Sequence, residues 1–196
     1  MILNLPNVLT LSRVAVIPVF VGSFFLAGDV ANWLALGLFV AAGLTDYFDG
    51  FFARRRAQSS DFGKFLDPIA DKLLVATALL MLAGFGRIAG VAIVAAAIIL
   101  LREIVISGLR EYLGGLNVSV PVSKLAKWKT TVQMLAIGVL IVGSAGPKDV
   151  PVVLIGEVLL WIAAVLTVIT GYDYMRAGLK HILGREDEAS AGGAAE

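Results

Sequence analysis

The chain has 196 residues, of which 59% are hydrophobic and 16% charged, against roughly a quarter charged in an ordinary soluble domain. An apolar excess of that size cannot be hidden inside a globule of this length, so lipid is the expected solvent for most of the surface. The absence of cysteine excludes disulfides and thiolate metal sites, and a net charge of +1 excludes a bulk nucleic-acid binder.

Six apolar segments follow in chain order, at about 7–27, 31–53, 64–86, 88–110, 125–145 and 151–175. Each is near the roughly 20 residues a helix needs to cross a bilayer core. Helices are required, because lipid cannot satisfy open backbone groups. The first segment is not a cleaved signal peptide: no basic start precedes it and Arg13 interrupts it. Asn4, Asn7, Thr10 and Arg13 give it a polar stripe at helical spacing, so it begins as an interfacial helix before crossing. Gly28-Asp29 and Gly146-Pro147 are expected to break the chain at two turns. Segments three and four leave only the Gly84–Arg87 region for a tight antiparallel turn. The expected fold class is an all-α membrane bundle of six transmembrane helices over residues 1–185. The remainder, 186–196, is mostly Ala, Gly and Glu without an apolar period and reads as a disordered tail. No solenoid repeat and no inverted repeat of three plus three helices is visible.

Charge predicts orientation. Arg54, Arg55, Arg56, Lys64 and Lys72 surround the second junction, Arg102, Arg110, Lys124, Lys127 and Lys129 the fourth, and Arg176, Lys180 and Arg185 follow segment six. The alternate junctions hold only Arg87 and Lys148. The positive-inside rule puts both termini and the basic junctions in the cytoplasm of a cell-membrane protein.

Within this frame, Thr45-Asp46-Tyr47-Phe48-Asp49-Gly50 ends segment two, and Gly63-Lys64-Phe65-Leu66-Asp67-Pro68-Ile69-Ala70-Asp71 begins segment three. Spacings of three and four put each aspartate pair on one helix face. The two helices are antiparallel neighbours, so the four carboxylates can face one another at similar depth. Such a cluster repels itself unless protonated or compensated. Hard divalent cations compensate it well, and two of them (Mg²⁺ or Mn²⁺) could share it and clamp a phosphoryl centre. Gly50 leaves room for a ligand, and the Arg54 fork suits a phosphate oxygen. Taken singly, bland readings hold: Asp67 before Pro68 fits a helix N-cap, Asp71 with Lys72 a boundary pair, and Arg54–Arg56 an orientation signal. Taken together, four acids on paired membrane helices favour function.

The pattern Asp46-x2-Asp49-Gly50-x2-Ala53-Arg54-x8-Gly63-x3-Asp67-x3-Asp71 resembles the full signature of the CDP-alcohol phosphotransferases, in every fixed position and spacing. The resemblance implies a six-helix membrane bundle, usually a homodimer. It implies that Asp46, Asp49 and Asp67 bind metal, with Asp71 a ligand, the general base, or both. Gly50, Ala53, Arg54 and Gly63 would accommodate the cytidine diphosphate portion of a CDP-lipid, and Thr45 is grouped with them.

The acceptor is read from a second region. Arg102 and Arg110 lie eight residues apart, a little over two turns, and can share a face, while Lys127 and Lys129 begin the next helix. Several cations near the aspartates favour an acceptor that carries phosphate. The alternative is that they are interfacial anchors, a reading strongest for Lys124. Glu103 or Glu111 would partner the arginines. Asn4-Leu5-Pro6-Asn7, Arg102-Glu103 to Arg110-Glu111, and Lys127-x-Lys129-Thr130-Thr131-x-Gln133 resemble family members that join CDP-diacylglycerol to sn-glycerol 3-phosphate and release CMP. Rival readings are a sister enzyme using inositol phosphate or phosphatidylglycerol, an ion-conducting transporter in which Glu157 marks a pore, and a scaffold. Crowding of the acids toward the cytoplasmic half disfavours the transporter, and Glu157 is expected near the outer interface.

Overall fold

The computed structural model describes residues 5–56, 61–116, 118, 121 and 123–192, with side chains at 5–9, 46–56, 61–65, 67, 68, 71 and 183–192 outside that description. Six α-helices carry the fold: α1 (Leu5–Ser23), α2 (Asp29–Arg56), α3 (Asp61–Gly84), α4 (Ala92–Gly115), α5 (Lys124–Val142) and α6 (Val152–Gly192). Among the described residues there is no strand. Each helix coincides with one apolar segment, because a long apolar run must close its hydrogen bonds internally. Ala92–Gly115, Lys124–Ala145 and Val152–Ile182 are long and apolar enough to cross a membrane, and Thr10–Ser23, Asp29–Thr45 and Lys72–Gly84 are shorter apolar stretches.

Most apolar surface faces outward. Only 28% of the apolar stretch is buried in α4 and likewise in α6, and Val30, Leu80, Leu101, Ile104 and Val165 are exposed. That is the reverse of a water-soluble bundle, where such side chains turn inward. The interior is narrow and built from small and branched residues. Ala78, Ala95, Ala136 and Ala163 let backbones approach, while Phe20, Phe39, Leu82, Ile99, Leu140 and Leu160 fill the space between. Phe20 meets Phe24 edge-on, with centroids 5.2 Å apart. Helix α1 packs on α2 and α3, and α6 on α4 and α5.

The turns contain the expected breakpoints: Gly28 (φ 90°) stands just before α2, and Gly146-Pro147 lies between α5 and α6. Residues 85–91 join α3 to α4, and Gly86 and Gly90 take positive φ (69° and 55°) there. At the end of α5 the chain reverses at Gly143 (φ 48°), three residues ahead of Gly146-Pro147. A side chain tethers this end. Arg87 donates hydrogen bonds to the Ile141 carbonyl and to Asn32 Oδ1, its guanidinium lies 5.1 Å from the Phe24 ring centre, and Asn32 Nδ2 donates to the Val142 carbonyl at 3.1 Å. Burial lowers the Arg87 pKa from its ordinary value, but an arginine remains charged at physiological pH. Arg87 thus ties the ends of α1, α2 and α5 together.

Two differences concern helix ends. Helix α3 begins at Asp61, so Asp67 and Pro68 lie inside it and Asp67 is not an N-cap. Helix α6 continues through 186–192, where the composition suggests a disordered tail. Glu and Ala are strong helix formers, which lets the backbone run on past the apolar stretch.

Candidate active site

The aspartates occupy two helices joined through residues 57–60. Asp49 stands seven residues before the end of α2, and Asp67 six residues after the start of α3. At 1.5 Å per residue each is roughly 10 Å along its helix from that connection, and Asp46 and Asp71 are each roughly 15 Å along. The backbone therefore puts the pairs at matching distances from one junction. The side chains of Asp46, Asp49, Asp67 and Asp71 lie outside the described residues, as do those of Ala53 and Arg54, with Gly50 and Gly63 in the same stretches. Among the described side chains no group of three could hold a metal ion. The donor set the sequence supplies, four carboxylates and no thiol, suits a hard divalent cation. Thr45 is half-buried, and its hydroxyl donates to the Ala41 carbonyl at 2.7 Å.

The cationic region is built by described residues of α3, α4 and α5. Arg102 and Arg110 from α4 and Lys127 and Lys129 from α5 line one cavity of about 520 Å³. Lys72 from α3 lines it too, one residue beyond Asp71, so the cavity adjoins the aspartate helix. Ser123 sets the start of α5: its Oγ accepts from the Ala126 N–H at 3.2 Å, which caps the helix and puts Lys127 and Lys129 in its first turns. Lys129 is buried, and its Nζ donates to Glu103 Oε1. The same oxygen lies 3.5 Å from Arg102 Nη1. Glu103 is thus the partner the sequence left open between two acids. Arg110 has its guanidinium carbon 5.5 Å from the Tyr174 ring centre. Lys124 is exposed on the first residue of α5 and does not line the cavity.

Among the described residues, five cations against one carboxylate give the cavity a positive bias. Such a site attracts a phosphate-bearing molecule and can hold it by charge-assisted hydrogen bonds. Beside it, an apolar groove of about 540 Å³ runs between α2 and α5, lined by Leu36, Phe39, Val40, Leu135 and Val139. Thr130 and Thr131 line both spaces, so the polar cavity and the apolar groove meet at one edge of α5. That juxtaposition suits an amphiphile with a charged head. The sequence marks Lys72 as an orientation charge or a boundary partner of Asp71 and does not single out Ser107, yet both line the cavity. Arg13 is 1% exposed, so the polar stripe of α1 faces the bundle at Thr10 and Arg13. An arginine interrupting an apolar run was the signal for it.

Residues 3–169 match the CDP-alcohol phosphatidyltransferase family. A CDP-diacylglycerol–glycerol-3-phosphate 3-phosphatidyltransferase from Rickettsia bellii is 48% identical over 178 residues, covering 91% of this chain and 97% of that protein. A protein of the same name from Yersinia enterocolitica is 44% identical over 183 residues, covering 92% and 98%. Another from Cereibacter sphaeroides is 39% identical over 215 residues, covering 91% and 97%. Among solved structures, apo phosphatidylinositol phosphate synthase from Mycobacterium tuberculosis matches with a TM-score of 0.64 over 89% of this chain and 88% of that one. Its identity of 19% makes that a likeness of fold alone. Because the family match spans most of the chain and full-length relatives stand at up to 48% identity, this chain belongs to the CDP-alcohol phosphatidyltransferase family.

Proposed function

We propose that this protein transfers the phosphatidyl group from CDP-diacylglycerol to sn-glycerol 3-phosphate, giving phosphatidylglycerophosphate and CMP. The observation that carries the reading is the five-cation cavity one residue beyond Asp71, in a chain 48% identical to a relative named for this reaction. A neutral alcohol has no need of several cations, whereas an acceptor phosphate does.

In this reading, Asp46, Asp49, Asp67 and Asp71 hold divalent metal, Mg²⁺ or Mn²⁺, which supplies charge neutralisation for the diphosphate. Asp71 accepts the proton of the acceptor's primary hydroxyl as that oxygen bonds to the β-phosphorus. The bond from that phosphorus to the bridging oxygen breaks, and CMP leaves with the electron pair. Arg54, with Thr45, Gly50, Ala53 and Gly63, receives the cytidine diphosphate portion. Arg102, Arg110, Lys127 and Lys129 hold the acceptor's phosphate and orient the attack. An acyl chain of the donor lies in the groove between α2 and α5, whose polar edge at Thr130 and Thr131 is shared with the cavity.

All six helices span the membrane in this arrangement. The basic junctions and both termini face the cytoplasm of a cell-membrane protein, as the charge asymmetry requires. The active unit is a homodimer, following the family resemblance. The test is CMP release by the purified protein with CDP-diacylglycerol, Mg²⁺ and competing acceptors. Release with glycerol 3-phosphate is expected. Release with inositol phosphate or phosphatidylglycerol, and none with glycerol 3-phosphate, assigns the protein to a sister activity.

A further inference from the structure

No described residue of α6 lines the cationic cavity, yet α6 touches the arginine at its inner wall. Arg102 Nη2 donates to Thr170 Oγ1 at 3.1 Å. Thr170 is 3% exposed, and its hydroxyl donates onward to the Leu166 carbonyl at 2.8 Å. That onward bond fixes the oxygen with a lone pair toward the guanidinium. The next residue is Gly171. A Cβ there would stand 3.0 Å from Arg102 Cγ and 3.1 Å from its Nε, so the arginine stem lies directly on the α6 backbone.

The contact belongs to a regular seam. Seven residues further along, a Cβ on Gly178 would stand 3.0 Å from Leu109 Cδ2 and 3.1 Å from Leu113 Cδ1. Pairing 102 with 171 and 109 with 178 keeps one constant register, so α4 and α6 run parallel with glycines at successive contacts. Leucines fill the second contact as packing requires. At the first contact the occupant is a cation whose Nε is buried and has no hydrogen-bond partner among the described residues. Packing alone does not select an arginine there, because an unsatisfied buried donor is costly. An anion received in the cavity that Arg102 lines would give this cation a partner besides Glu103 and Thr170.

We propose that Thr170 and Gly171 are positioning residues for the acceptor's phosphate, acting through Arg102: the threonine orients the guanidinium and the glycine seats its stem, so the fork is presented to the cavity already ordered. Freezing a long arginine side chain before binding removes an entropy cost that would otherwise weaken the acceptor complex. The inference rests on glycerol 3-phosphate being the acceptor.

The test is steady-state kinetics of the intact protein in detergent micelles containing CDP-diacylglycerol. Thr170→Val keeps the shape and removes the acceptor oxygen. It is expected to raise KM for glycerol 3-phosphate about fivefold to tenfold, with kcat and KM for CDP-diacylglycerol unchanged. Thr170→Ser should return KM to within about twofold of the parent, and Gly171→Ala should move KM in the same direction as Thr170→Val. In an Arg102→Gln background, Thr170→Val should add no further loss. An unchanged KM for glycerol 3-phosphate in Thr170→Val, or equal changes in both KM values, overturns the proposal. So does an additive effect in the Arg102→Gln background. If Gly171→Ala fails to fold, the valine and serine pair decides. A parent protein that releases CMP with another acceptor but not with glycerol 3-phosphate overturns the functional reading as well, and so separates that failure from this one.

Discussion

Glu103 and Lys129 join α4 to α5 at the wall of the cationic cavity, with Glu103 accepting a hydrogen bond from Lys129 Nζ. The lysine side chain is 5% exposed and the glutamate 20%. A buried ammonium is tolerated only when paired. Glu103 also lies beside Arg102, so one carboxylate balances two groups proposed to hold the acceptor's phosphate. The free enzyme therefore carries an internal anion where the substrate's anion is to be received.

From this follows an outcome for Glu103→Gln. The amide can still accept from Lys129 but no longer neutralises it. Thermal unfolding should show a loss of stability of roughly 1–3 kcal/mol. Added glycerol 3-phosphate should raise Tm more in the variant than in the parent, because its phosphate restores the missing charge. An equal Tm rise in both proteins removes Glu103 from this role.

At the opposite end of the bundle, Arg87 satisfies the Ile141 carbonyl and Asn32 together. Replacing it with methionine keeps the stem and leaves both acceptors without that donor. Arg87→Met should lower stability by roughly 2 kcal/mol while leaving both KM values as they were. Arg87→Lys, with a single point of donation in place of a fork, should fall between. A changed KM for either substrate would show that this tether reaches the site.

The contrast between Arg87 and Lys72 shows how far the sequence could be read. Apolar run length marked all six helices, because lipid leaves the backbone no other solution. The aspartate spacing was legible because it repeats the helix period. What charge counting could not supply was depth. Arg87 and Lys72 were both counted as boundary charges, but Arg87 is a structural tether and Lys72 lines the cavity. Nor could Gly171 be singled out, since its partner lies 69 residues away and only packing identifies it. The N-cap reading of Asp67 fails because α3 starts earlier, at Asp61.

The apolar groove gives a test of lipid placement. Gly138 lies along it, and a Cβ there would sit 3.4 Å from Leu36 Cδ1. Leucine at this position would occupy the groove without a polar change. Gly138→Leu should lower kcat/KM for long-chain CDP-diacylglycerol by about tenfold, comparable to losing the burial of about two methylenes. A short-chain analogue should be turned over as before. Equal loss with both donors would place the acyl chain elsewhere.

The proton acceptor is tested at Asp71. It stands on α3 one residue before Lys72, which lines the cationic cavity, and in the proposed mechanism it takes the proton of the acceptor hydroxyl. Asparagine retains an oxygen able to ligate metal weakly but cannot take a proton at neutral pH. Asp71→Asn should therefore lose roughly 10²–10⁴ in kcat, with an unchanged unfolding profile. Chelation of divalent metal should abolish CMP release in the parent, and Mg²⁺ or Mn²⁺ should restore it. Residual CMP release by the variant that saturates at the same Mg²⁺ concentration as the parent's assigns the base to Asp71, whereas a raised metal requirement assigns it to metal binding alone. Full turnover by Asp71→Asn leaves the metal requirement standing and moves the base to another group.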